Sequence, residues 1–412
     1  MKQFMATTPM PRLKVKLRTI TAKIGSGATP RGGKESYKHD GISLIRSLNV
    51  YDFHFEPDGL AYIDENQAEQ LSNVEVKAED ILLNITGASV ARCCMVPRRI
   101  LPARVNQHVA IVRVNPSSAD PKYVFYVINS PAYKRRLLTL AQGGATREAL
   151  TKETIEGFEI PLPRIVVQQK IASILSAYDD LIETNTRRIK ILKEMARLVY
   201  EEWFVKFRFP EHEKVKMVES ALGPIPKSWE IKKVGGVIEL AYGKALKEED
   251  RRSGSVPVYG SSGIVGYHDK AFVKGPGIVV GRKGNVGSVY WTDADFYPID
   301  TVFFVRTNVC LEYVYYNLQT QNFINNDAAV PGLSRRQAYG LPLLVPDETV
   351  LLKFQTIMQS LFPSLRNLRA RNDNLRQTRD LLLPKLISGE IDVENLDIKM
   401  PAENGLAVAA TV

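Results

Sequence analysis

Apolar residues along this chain follow two different spacings, one suited to long helices and one to short strands. From Gln168 they fall in alternating steps of four and three: Ile171, Leu175, Tyr178, Ile182, Asn185, Ile189, Leu192, Ala196, Val199 and Trp203. The same steps recur at Phe354, Met358, Leu361, Leu365, Leu368, Asn372, Leu375, Arg379, Leu382 and Leu386. Each run is a heptad seam, a stripe too narrow for a broad core and suited to one partner helix. No other long helical pattern lies nearby, so the two runs are expected to pack on each other. A globule has to fit between them in the chain, which makes an antiparallel pair the natural arrangement and an open one the alternative. Asn185 and Asn372 interrupt the seams near their midpoints, either fixing register as buried seam asparagines do or standing as solvated breaks. Prolines precede both runs, where a missing N–H costs nothing. Pro363 lies inside the second and predicts a kink, or a helix split after its first turns.

Outside the helices, short apolar runs alternate with loops rich in Gly, Ser and Pro, and the pattern occurs twice. "DILLNITGASV" from Asp80 matches "GIVVGRKGNVG" from Gly277, and "NQHVAIVRVN" from Asn106 is echoed by "PIDTVFFVRTN" from Pro298. "PKYVFYVINS" from Pro121 is echoed by "LEYVYYNLQT" from Leu311, and "GFEIPLP" by "GLPLLVP", each opening a long helix. From there the halves align without a gap, pairing Lys170 with Lys353 and Ile174 with Ile357. The expected architecture is α+β: a globule over 1–162, a helix over 163–209, a second globule over 210–346, a second helix over 347–391, and a disordered tail over 392–412. Some forty residues at about 1.5 Å each give a rod of roughly 60 Å, a ruler between the globules.

The 412 residues leave room for two or three domains, and a net charge of +10 makes an acidic polymer, a membrane surface or an acidic protein a candidate partner. The chain has no apolar run of membrane-spanning length, and its start, "MKQFMATTPMPRLKVKL", lacks the pattern of a signal peptide, so a cytoplasmic protein is expected. Cys93, Cys94 and Cys310 cannot form a disulfide framework or a four-ligand zinc site, and read as small buried apolar residues.

The loops carry the candidate chemistry. "GSGATPRGGKESYKHDG", "QGGATREALTKET", "YGSSGIVGYHDK", "GRKGNVGS" and "PGLSRRQ" combine glycines, which admit a bulky ligand, with hydroxyls and arginines, which bond phosphates and guanine edges. One such loop is an ordinary surface turn, but recurrence at matching places in a basic chain points to nucleic acid. Motifs for nucleotide binding, amino-methyl transfer and zinc hydrolysis are absent. Asp58, Glu75 and Lys77 mimic the carboxylate-carboxylate-lysine set that holds Mg²⁺ in nucleases; a solvated turn leading into "ILLN" is the favoured reading, since the second half has no equivalent. His108 faces either core or DNA.

"IPLPRIVVQQKIASILSAYDDLIETNTRRIKILKEMARLVYEEWFVKFRFP" followed by "LGPIPKSWEIKKVGGVIEL" resembles the central conserved region of type I restriction-modification specificity subunits. "IGSGATPRGGKESYKHDGISLIRSLNV" is similar to the opening of the family's first target-recognition domain, and "YGKALKEEDRRSGSVPVYGSSGIVGYHDKAF" with "GIVVGRKGNVGSVYWTDADFYPIDTVFF" to that of the second. "RQTRDLLLPKLISGEIDV" is similar to its closing segment. The resemblance implies a non-catalytic DNA-binding subunit that reads a split sequence in double-stranded DNA and docks two methyltransferase subunits acting on adenine N6, with a motor-nuclease subunit as a further partner. It implies no cofactor in this chain: S-adenosylmethionine, ATP and Mg²⁺ belong to the partners. The residues expected to meet DNA are Arg31, Lys34, Arg92, Thr146 and Arg147 in the first domain, and Lys244, Ser261, Ser262, Arg282, Lys283, Arg335 and Arg336 in the second. A stand-alone metal-dependent nuclease and a non-catalytic coiled-coil scaffold are the alternatives.

Overall fold

A computed structural model describes residues 13–142, 148–323 and 332–398, with the Lys34 side chain excepted. The chain forms two compact units, one built from residues up to Thr184 together with those from Asn372 onward, the other from Asn185 to Arg371.

The first unit centres on a four-stranded antiparallel sheet of β1 (Thr21–Ser26), β2 (Ile81–Asn84), β3 (Cys93–Met95) and β4 (Val109–Val114), in the order β1-β4-β2-β3. All four residues of β2 are buried. Ile81 and Leu83 enter one core and Leu82 another, so both faces are covered, and the apolar run is continuous where a half-exposed strand would alternate. A second sheet sets Ala103–Val105 parallel to Ile42–Ile45. Helix α1 (Pro121–Asn129) packs Tyr123, Val124 and Tyr126 into the first core.

Two long helices complete the unit: α2 (Ile165–Tyr200), and α5 (Glu348–Ser388), the last of three helices that follow it among the described residues. The first half of α2 and the second half of α5 belong here, and Ile171 and Leu175 share a core with Leu383, Leu386 and Ile387. Contacts run from Asp179 to Arg379 and from Ile182 to Asn372, so the helices are antiparallel. In the second unit the later part of α2 and the earlier part of α5 pack together in the same sense, Ala196 and Tyr200 sharing a core with Phe354, Met358 and Leu361.

The second unit repeats the first. Its sheet of β5 (Ile238–Tyr242), β6 (Gly277–Gly281), β7 (Val289–Thr292) and β8 (Val302–Thr307) has the order β5-β8-β6-β7. Tyr297–Pro298 lies parallel to Val256–Gly260, as in the second sheet of the first unit. Helix α3 (Leu311–Thr320) stands where α1 stood, and the short α4 (Arg335–Gly340) precedes α5.

Every seam position inferred from the heptads is buried or half-buried. Asn185 and Asn372 are both buried, and the Asn372 side-chain amide donates to the Ile182 carbonyl at 3.3 Å, so neither is a solvated break. Pro363 does not split its helix: α5 is a single helix from Glu348 to Ser388. Proline removes the N–H that would bond the Gln359 carbonyl, but Pro363 and Gln359 both sit on the exposed face, where water can donate to that carbonyl in place of the missing N–H. The segment from residue 392, expected to be disordered, is packed as far as Ile398. Val393 is fully buried in the first core, and Lys170 Nζ donates to the Glu394 and Leu396 carbonyls at 2.7 and 2.8 Å. The remaining tail lies outside the described residues. No described helix is long and apolar enough to cross a membrane.

Arg379 occupies a seam position that a heptad assigns to an apolar residue. Its guanidinium donates to Asp179 at 2.6 Å, Asp179 also accepts from the Tyr126 hydroxyl at 2.6 Å, and the guanidinium carbon lies 3.8 Å from the Phe53 ring centroid. The Arg379 guanidinium also donates to the exposed Asp380 carboxylate at 3.0 and 2.9 Å. Replacing only Asp179 by alanine would leave that pair but remove the acceptor shared with Tyr126, and is expected to lower unfolding stability by roughly 2 kcal/mol, whereas Asp179→Leu with Arg379→Leu should fall near neutral; denaturant titration of the variants measures both. Burial pushes the Cys93 thiol up to about 12 and the Cys94 thiol well above its ordinary value, so both stay neutral through physiological pH. A thiol-specific reagent at pH 8 should therefore leave both unmodified in the native protein and react with them on unfolding.

Candidate nucleic-acid interface

In the second unit β6 ends at Gly281, and the chain turns so tightly that a Cβ there would lie 2.1 Å from the Asn285 carbonyl oxygen. Gly284 and Gly287 continue the turn at φ +75° and +77°, a backbone region that favours glycine. This loop carries Arg282 and Lys283, whose amides both donate to the Thr301 carbonyl, at 2.9 and 3.1 Å. The Lys244 amide donates to the Pro298 carbonyl at 3.0 Å on the same segment. Ser288 Oγ and the Tyr290 hydroxyl donate to the Ser261 carbonyl at 2.8 and 3.1 Å, which ties the Ser261–Ser262 turn to the loop. The Leu333 amide donates to the Arg282 carbonyl at 2.7 Å, and Lys283 forms a bridge with Gly332, which brings in the segment leading to α4 and its first residues, Arg335 and Arg336.

The fold therefore gathers at one end of the sheet the seven residues inferred from separate loops. Lys244, Ser262, Lys283, Arg335 and Arg336 are exposed, and Ser261 and Arg282 are half-buried. At their centre stands Tyr242, the last residue of β5, with the guanidinium carbons of Arg282 and Arg335 each 5.0 Å from its ring centroid.

In the first unit the equivalent loop runs from Thr86 to Arg92. Arg92 is half-buried, its guanidinium 4.7 Å from the Tyr51 ring centroid. His108 lies at the same end: its Nδ1 is 2.8 Å from Thr86 Oγ1, and it is half-buried, so it is neither a core histidine nor a free one. Thr86 bridges Ala149, which draws the loop before Thr154 alongside. Arg31 is exposed, and no described contact joins it to Arg92. Thr146 and Arg147 lie outside the described residues, as does the Lys34 side chain.

Charge pairing separates these cations from structural ones. Arg113 grips the buried Asp80 carboxylate with two bonds of 2.7 Å, which holds its guanidinium above its ordinary value. Arg369 pairs with Asp293 at 2.7 Å. Among the described residues Arg31, Arg92, Lys244, Arg282, Lys283, Arg335 and Arg336 make no ion pair; Arg282 bonds only the Asp300 main-chain carbonyl, at 3.1 Å. Unpaired cations gathered at loop ends attract polyanions. Of the nuclease-like set, Glu75 pairs with Arg104 at 3.9 Å, the Asp58 amide donates to Glu56 at 3.1 Å, and the Lys77 amide donates to Asp80 at 2.7 Å, closing a turn. Among the described residues no three His, Cys, Asp or Glu side chains could share a metal ion.

Sequence reasoning missed Tyr51 and Tyr242. An aromatic residue at a strand end gave no sign that it would stay half-exposed beneath an arginine delivered by a distant loop.

A family model described as the type I restriction modification DNA specificity domain matches residues 22–194 and 226–333. The chain is 23% identical over 411 aligned residues to the type I restriction enzyme MjaIX specificity subunit of Methanocaldococcus jannaschii, covering 91% of this chain and 92% of that one. It is 20% identical over 401 residues to the HindI specificity subunit of Haemophilus influenzae, covering 77% and 87%. Its fold is similar to the crystal structure of the type I restriction-modification system S subunit from M. genitalium, with a TM-score of 0.60 and 18% identity over 92% of this chain and 99% of that one.

Arg336→Ala is expected to weaken duplex binding evenly across sequences and to reduce the slope of log affinity against log salt by about one. Fluorescence anisotropy over a salt series measures both, and binding insensitive to salt would remove Arg336 from the interface.

Proposed function

The chain belongs to the type I restriction-modification DNA specificity family, a non-catalytic DNA-recognition subunit, and from that premise we propose that each unit reads one half of a bipartite duplex target. The observation that carries this reading is the repetition itself. One chain holds two copies of the same sheet order, and each copy ends in a loop whose arginine lies over a half-exposed tyrosine and has no acidic partner. Two similar readers on one polypeptide suit a target of two parts, and unpaired arginines suit an acidic, base-bearing ligand better than a protein scaffold does.

The reading extends to partners and compartment. The paired helices offer the docking surface for two methyltransferase subunits, which bring S-adenosylmethionine and modify adenine N6, and the assembly works in the cytoplasm on double-stranded DNA. A motor-nuclease subunit, with its ATP and Mg²⁺, joins the same complex when it restricts.

Co-expression with the genomically neighbouring subunits, followed by genome-wide mapping of methylated adenine, tests this. The expected result is a two-part motif, of which exactly one part changes when one unit is exchanged for that of a relative. Metal-dependent cleavage of plain DNA by the purified chain, lost on Glu75→Ala, would replace this reading with a nuclease. Failure to bind DNA even with partners present would leave a scaffold.

A further inference from the structure

Arg282 and Arg335 reach the same aromatic ring from different loops. Tyr242 is 48% exposed, and its ring rests on the fully buried Phe303 at a centroid distance of 5.0 Å. Arg282 lies 5.7 Å from the Phe303 centroid as well and commits one Nη to the Asp300 carbonyl. Arg335 lies 5.8 Å from Tyr339, whose hydroxyl accepts the Leu240 amide at 3.0 Å and so fastens α4 to β5. Among the described residues Arg335 has no hydrogen-bond acceptor of its own.

Stacking occupies the flat face of a guanidinium and leaves its in-plane fork of N–H groups free and fixed in direction. Two guanidiniums on one ring with no described carboxylate to neutralise them keep their charge and their N–H groups available to an electron-rich acceptor. Two acceptors suit such a fork: a phosphate, or the O6 and N7 atoms of a guanine edge in the major groove. A phosphate needs only charge, which exposed Lys244 and Lys283 already supply beside it. A fixed plane adds direction, and direction distinguishes bases.

We propose that Tyr242 is a positioning residue that holds the Arg335 guanidinium, backed by Arg282, to read a guanine edge in the half-site bound by the second unit. This rests on the DNA-reading function above and adds the base and the residue. Tyr51, 41% exposed beneath Arg92, is the same device in the first unit, built on a different strand.

The test uses the full chain co-expressed with its neighbouring subunits and selection from a randomised duplex pool. Arg335→Lys keeps the charge and loses the fork, Tyr242→Leu loses the platform, and Tyr242→Phe keeps it. The first two variants should lose guanine preference at a single position by about tenfold or more, leaving the other half-site unchanged, while Tyr242→Phe selects the wild-type motif. Unchanged base preference in Arg335→Lys overturns the proposal and makes Arg335 a phosphate ligand, most clearly if binding also weakens uniformly. Loss of preference throughout the half-site in Tyr242→Leu, with a lowered unfolding temperature, overturns it in favour of a structural role. A wild-type selection with no sequence preference overturns both this proposal and the function beneath it, and is distinguished from the other failures because no variant is needed to see it.

Discussion

The structure depends on an apolar seam that one helix cannot bury alone. A stripe of one apolar residue every three or four positions leaves an isolated helix with a face that water disfavours, and among the described residues the one element of matching length is the other copy of the same helix. Duplication supplies that partner. Each compact unit consequently takes one end of each helix, and the first unit draws its core from both α2 and the far end of α5. The Arg379–Asp179 pair departs from the apolar pattern at one position and uses it to fasten the helices to α1 through Tyr126 and to the turn at Phe53. Phe53 sits at φ 61°, a conformation costing about 1 kcal/mol or more for a bulky residue, and is held there by rings on one side and a guanidinium on the other.

Around that frame charge is divided by purpose. Inside the units arginines meet carboxylates, as Arg113 meets Asp80. At the loop ends they meet aromatic faces, which hold a cation in place without cancelling it. With 55 lysines and arginines against 45 aspartates and glutamates, some cations must lack an acidic partner of their own. The excess recorded in the composition is therefore informative mainly for where it is left unpaired.

The heptads were legible because helix burial has a fixed period, and the repeat because matching strands demand matching apolar runs. Pro363 does not split its helix, because continuity depends on whether the freed carbonyl faces water and not on the hydrogen-bond ladder alone. The stretch beginning at Asp392 reads from sequence as a disordered tail because the partners of Val393 lie far back in the chain. Dividing the sequence in order, globule then helix, follows the repeat but not the contacts, since contacts join ends that no local pattern connects. Candidate cations could be picked from composition and loop position, but their convergence on Tyr242 is a tertiary fact carried by Thr301, Pro298 and Gly332.

Because Leu383, Leu386 and Val393 fill the core begun by Ile81, Tyr123 and Ile171, the first unit cannot finish folding when its own globule leaves the ribosome. The second unit, a single unbroken stretch from Asn185 to Arg371, can close first. Synthesis from the N-terminus is thus answered by completion from the middle outward, and a nascent chain lacking its last segment carries one finished unit and one with an open flank.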